Sequence, residues 1–111
     1  MVSKQDFGSF RMYAKTLAST LRSYGHAILA INAIRKAGVP TPTKIGTTHG
    51  GNVKLEFNSG FATVTVTENG YFWVWTSRES VLCPTVGALV DWINADRVIC
   101  PERWEHRDDR S

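Results

Sequence analysis

From Val53 to Thr76 the chain is patterned for β-strands. The runs VKLEF, FATVTV and YFWVWT are rich in β-branched and aromatic residues and are parted by two turn signals. The second signal, Asn69-Gly70, suits a two-residue type I′ hairpin. Such a turn sets Glu68 opposite Tyr71, Val66 opposite Trp73 and Val64 opposite Trp75. One face is then expected to carry Ala62, Val64, Val66, Trp73 and Trp75, and the other Thr63, Thr65, Thr67, Phe72 and Val74. The first turn, Asn58-Ser59-Gly60, admits two registers. A tight Ser59-Gly60 loop pairs Phe57 with Ala62 and adds Val53, Leu55 and Phe57 to the tryptophan face. A three-residue loop pairs Phe57 with Phe61 and sends them to the threonine side. The first is favoured, because it gathers the apolar residues and leaves Lys54 and Glu56 in water.

Ahead of the strands the period changes to that of helices. Phe10, Tyr13, Ala14, Leu17, Leu21 and Tyr24 recur at three- and four-residue spacing, predicting an amphipathic helix from about Asp6 to Tyr24 that Gly25 ends. Arg11, Lys15, Ser19 and Arg22 lie within roughly 80° on nearly the opposite side. A second helix is expected from His26 to Ala37, apolar almost all round and therefore buried, with Arg35, Lys36, Gly38 and Pro40 marking its exit. Residues 38–52, GVPTPTKIGTTHGGN, read as a long loop. After the strands, residues 77–82 could add an edge strand or a turn. Thr85 then caps a last helix with Val86, Leu89, Val90 and Ile93 inward. The expected architecture is a two-layer α+β domain in the order α-α-β-β-β-α: an antiparallel three-stranded meander with its helices on one face. A single domain over residues 1–111 is expected, with 1–5 and 101–111 as mobile ends.

Composition changes this picture little. The 111 residues are 42% hydrophobic, enough for one core without staples. A net charge of +3 and a pI near 9.1 demand neither nucleic acid nor membrane. The charge is uneven, however. Lys4, Arg11, Lys15, Arg22, Arg35 and Lys36 face only Asp6 in the first part, while seven acids outnumber five arginines after Ser77. Cys83 and Cys100 make no framework and are expected as free, buried thiols in a reducing cytoplasm. The first 25 residues lack the apolar core of a secretory leader, and no run approaches the ~20 residues of a membrane span.

Candidate chemistry is sparse. The glycine-rich loop lacks the Gly-Lys-Ser/Thr ending and following helix of a phosphate-binding loop. His26, His49, His106, Cys83 and Cys100 show no metal-ligand spacing, and no GxSxG elbow is present, so no metal, cofactor or catalytic residue is expected. The basic stripe of Arg11, Lys15 and Arg22 is the sharpest positive feature, suited to phosphates or to an acidic protein surface. Its alternative is the solvated side of a helix. Phe72 and Val74, on the threonine side, would form an exposed apolar patch unless the tail around Trp104 covers it.

The order helix, three-stranded meander, helix from His26 to Ala95 resembles the double-stranded RNA-binding domain. That family reads its duplex with the first helix, the loop between its first two strands and a lysine cluster opening its last helix. Here the last helix opens Thr85-Val86-Gly87-Ala88-Leu89 without lysine, and Asn58-Ser59-Gly60 lacks the histidine of the minor-groove finger, so no binding residue carries over. In size and composition the chain also looks like small bacteriophage proteins, including inhibitors of host defence systems such as anti-CRISPR proteins. That resemblance implies a compact cytoplasmic domain with no catalytic site. The expected function is thus non-catalytic: occupation of a partner's surface, the partner being a protein or nucleoprotein complex with an acidic surface. Arg11, Lys15, Arg22, Lys44, His49, Phe72 and Trp104 are the candidate contacts. The alternatives are a small nucleic-acid binder using the basic first helix, and a structural subunit of a virion or other assembly.

Overall fold

A computed structural model describes residues 4–48, 50–58 and 60–104, with side chains from Arg11 onward, Arg103 excepted. The elements are α1 (Lys4–Lys36), β1 (Lys44–Thr47), β2 (Val53–Phe57), β3 (Ala62–Val66), β4 (Phe72–Thr76), β5 (Ser80–Cys83), α2 (Val86–Ile99) and α3 (Pro101–Trp104). The α+β class is as expected, but five strands form the antiparallel sheet, in the order β1-β2-β3-β4-β5. β1 arises inside the stretch read as a long loop, and β5 is the edge strand left open after Ser77.

The two expected amino-terminal helices are one. α1 runs 33 residues, about 50 Å at 1.5 Å per residue, straight through Gly25. Gly25 faces open space, so its lack of a side chain serves no packing need. Anchoring on both sides of it outweighs the ~1 kcal/mol cost of a mid-helix glycine. Ser23 is fully buried and donates its hydroxyl to the Gly51 carbonyl at 2.8 Å, while Ala27, Ala30 and Ile34 enter the core. Gly25→Ala should therefore raise stability by about 0.5–1 kcal/mol in urea unfolding; a loss would mean that the helix needs to break there. The helix stops where expected. Gly38, at φ 74°, turns the chain, its N–H bonds Arg35 O, and the Val39 N–H bonds Ile34 O at 3.1 Å.

The sheet registers decide which side chains are inside. Phe57 pairs with Ala62, as the favoured reading had it, and Val53, Leu55 and Phe57 are buried. The next hairpin differs. Val66 pairs with Phe72 and Val64 with Val74, one residue away from the expected pairing. The loop is Glu68-Asn69-Gly70, closed by Thr67 N–H to Tyr71 O at 3.0 Å and Gly70 N–H to Thr67 O at 3.1 Å. Only Gly70 takes the left-handed conformation, at φ 83°, so this is a three-residue loop with a bulge and not a type I′ turn. The hairpin between β1 and β2 repeats it: Thr48 N–H bonds Asn52 O at 2.9 Å, Gly51 N–H bonds Thr48 O at 3.2 Å, and Gly51 sits at φ 83°.

A one-residue slip exchanges the faces of a strand. Phe72 and Val74 are 1% and 0% exposed, whereas Trp73 and Trp75 are 38% and 50% exposed, which reverses the expected sides. Packing favours this arrangement. α1 meets the sheet through Ala27 and Ala30, and so close an approach leaves no depth for two indoles. α2, capped by the Thr85 hydroxyl accepting from Ala88 N–H at 3.0 Å, contributes Leu89 and Ile93 to the same core. Both cysteines are buried free thiols, Cys100 Sγ accepting from Arg78 Nη1 at 3.2 Å, and burial raises the pKa of the Cys83 thiol.

Candidate functional site

α1 and α2 share one face of the sheet, and no described element covers the other. Along β4 the alternation places Tyr71, Trp73 and Trp75 in a row there, with Leu82 of β5 beside Trp73. The two indoles stack, ring centres 6.3 Å apart and planes inclined by 29°. On the β3 side the row is bordered by Thr63 and Thr65, which pair with Trp75 and Trp73. Beyond them stand Lys54 and Glu56, whose charged ends lie 3.7 Å apart, and Lys44, which pairs with Glu56. This face offers flat aromatic surface, hydroxyls and two lysines. At its β1 edge a shallow depression is lined by Lys44, Gly46, Thr47, Lys54 and Glu56. Among the described residues no group of three or more His, Cys, Asp or Glu side chains could hold a metal ion.

The sequence-level candidates fare unequally. Phe72 points into the core, and Trp104 is 6% exposed, packed edge-on against Phe57 and Trp92. Neither can present its ring to a partner, which corrects the expectation for both: the register slip buries Phe72, and the short α3 folds the tail's only large aromatic back on the body. His49 lies outside the described residues. Lys44 is exposed at the sheet edge. Arg11, Lys15 and Arg22 are exposed on α1, and Arg22 Nε donates to Glu68 at 3.0 Å with Nη2 on the same oxygen. That bond, with a further one from Ser19, holds the Glu68 carboxyl below its usual pKa. The basic stripe is thus partly spent on fastening α1 to the β3–β4 turn. It does not reach the aromatic face.

The residues that sequence reasoning missed are Trp73, Trp75, Tyr71 and Leu82. A usable signal was there. Thr48-x-x-Gly51 and Thr67-x-x-Gly70 share one spacing, and in both the threonine hydroxyl accepts from the N–H four residues on, at 3.2 Å. Reading both as the same three-residue loop would have put the tryptophans outside. Compared with family models, curated proteins and solved structures, the chain matches none. Among the described residues no helix is long and apolar enough to cross a membrane.

Proposed function

We propose that this is a non-catalytic binding protein that acts by occupying a partner's surface, with the aromatic row of β4 as the contact. The observation that carries this is the stacked, exposed pair Trp73 and Trp75 on a sheet face that no described element covers. Exposed tryptophan costs solubility and contributes nothing to the core, and in protein interfaces it is the residue most enriched at energetic hot spots. Tyr71 and Leu82 extend the apolar centre, while Thr63, Thr65, Lys54 and Glu56 supply a polar rim. Lys44, at the edge of the same face, favours an acidic partner surface. The narrower role, an inhibitor of a host defence complex, rests on the likeness to small phage proteins in size and composition.

A second reading has its own support. Aromatic side chains on an open sheet with lysines nearby can stack unpaired bases. The two are separated by one pair of measurements on the wild type and on Trp73→Ala/Trp75→Ala. In pull-downs from bacterial lysate the wild type should retain a specific protein that the variant loses. Binding of that purified protein should weaken at least ~30-fold, since a hot-spot tryptophan is worth about 2 kcal/mol or more. Single-strand binding that falls steeply with salt, with no protein retained, would establish the second reading instead.

A further inference from the structure

Across the strands the open face of the sheet forms two straight rows. In one, Gly46, Lys54, Thr65, Trp73 and Leu82 are each the cross-strand partner of the next. In the other the order is Lys44, Glu56, Thr63, Trp75 and Ser80. Both rows therefore start at the charged end on β1 and β2, pass a threonine on β3 and reach an indole on β4.

The charged end has a pattern of its own. Lys44, Glu56 and Lys54 occupy three corners of a square: Glu56 lies beside Lys44 on the next strand and beside Lys54 along its own, where the charged ends are 3.7 Å apart. The fourth corner is Gly46, where an added Cβ would meet nothing within 4 Å. This bare corner lines the depression at the β1 edge. The two lysines stand on one diagonal and Glu56 on the other. A negative charge over Gly46 completes the alternation, bordered by both lysines and diagonal to the one carboxylate that repels it.

We propose that this face takes an extended acidic peptide segment lying across the strands. An aromatic or large apolar side chain rests on Trp73 and Trp75, and an aspartate or glutamate four residues away sits over Gly46. The inference rests on the reading of this face as a protein contact. Strand spacing sets the interval. Gly46 and Trp73 are three strand spacings apart, about 14 Å, and four residues of extended chain span about 13–14 Å. Period-two alternation turns residues i, i+2 and i+4 of such a segment to the sheet, the middle one over Lys54 and Thr65. Charge favours one carboxylate over a run of phosphates. A nucleic-acid strand carries a negative charge at every nucleotide, and Glu56 stands in its path.

The test is selection of a random twelve-residue peptide library on the full wild-type chain, with counter-selection on Trp73→Ala/Trp75→Ala. Retained peptides should share an aromatic or large apolar residue and an acid four positions from it, in either direction. A synthetic peptide of that consensus should bind at least ~10-fold more weakly when its acid is replaced by the amide, and likewise to Lys44→Ala/Lys54→Ala. The two changes together should cost little more than either alone. Glu56→Gln, which removes the repelling charge and frees Lys54, should tighten binding about 3-fold. Gly46→Glu sets the protein's own carboxylate in the corner, and should abolish the preference for an acid but keep that for the aromatic residue. Circular dichroism checks that each variant is folded. Tryptophan-dependent peptides without an acid at that interval, or an affinity indifferent to the two lysines, would overturn the inference and leave the protein contact standing. No tryptophan-dependent peptide at all would also overturn it, and the lysate pull-down then decides whether the face takes a folded protein. Tryptophan-dependent capture of oligothymidylate in place of peptide would overturn both.

Discussion

Phe72→Ala should cost about 3–5 kcal/mol of folding stability, and Trp73→Ala, its neighbour and the larger residue, at most ~1 kcal/mol. Volume alone would rank them the other way. The order follows from the register of β3 against β4. Phe72 is 1% exposed and pairs with Val66 on one side and Cys83 on the other, within the core formed with α1 and α2. Deleting its ring opens a cavity that neighbouring strands cannot fill. Trp73 packs only along the sheet surface, against Trp75 and its cross-strand neighbours Thr65 and Leu82. Whole-domain stabilities are commonly ~5–15 kcal/mol, so the first loss would be visible as a large shift of the urea midpoint and the second as a small one. Equal losses, or a larger one for Trp73→Ala, would mean that the strand lies in the other register.

The strand YFWVWT is also where sequence reading meets its limit. Alternation assigns faces only when one set of alternating residues is polar. In β4 both sets are apolar, so nothing within the strand says which side is inside. The decision passes to the turn, where Asn69-Gly70 fits two loop lengths that differ by one residue. β2 shows the contrast: Lys54 and Glu56 alternate with Val53, Leu55 and Phe57, and its register and buried face were both legible. α2 was legible for a similar reason, its cap and inward residues being locally marked. The join through Gly25 was not, because the contacts that hold α1 continuous come from Gly51, Gly70 and Glu68, distant in sequence. The stripe from Phe10 to Tyr24 was recognised as apolar; of its described side chains Tyr24 packs against the core, while Tyr13, Leu17 and Leu21 are exposed. Periodicity shows that a helix has an apolar side without showing whether that side meets its own domain.

These corrections act together. The slip that buries Phe72 exposes the tryptophans, and the continuity of α1 carries its apolar arm beyond the body. Both surfaces follow from turns that end in a left-handed glycine, Gly70 fixing the register of β4 and Gly51 receiving Ser23 of α1.

Trp104 anchors α3 to the body, and Trp104→Ala should cost about 3–5 kcal/mol. The indole is inserted between Phe57 of β2 and Trp92 of α2, ring centres 5.5 and 6.2 Å away and planes inclined by 61° and 75°. Edge-to-face contacts of this kind add to the burial energy. Its Nε1 also donates to the Asp96 carboxylate at 2.7 Å, and Asp96 is itself only 7% exposed at the inner side of α2. Trp104→Phe separates the two contributions. Phenylalanine keeps most of the packing but removes the donor, so about 1–3 kcal/mol should still be lost. Asp96→Asn retains an acceptor oxygen and should cost less than Asp96→Ala. In a double-mutant cycle, Trp104→Phe combined with Asp96→Ala should show a coupling of about 0.5–3 kcal/mol, as expected for groups in direct contact. Stability unchanged in Trp104→Ala would mean that α3 does not dock on the body and that this ring is available to a partner after all. The same unfolding curves decide between the two.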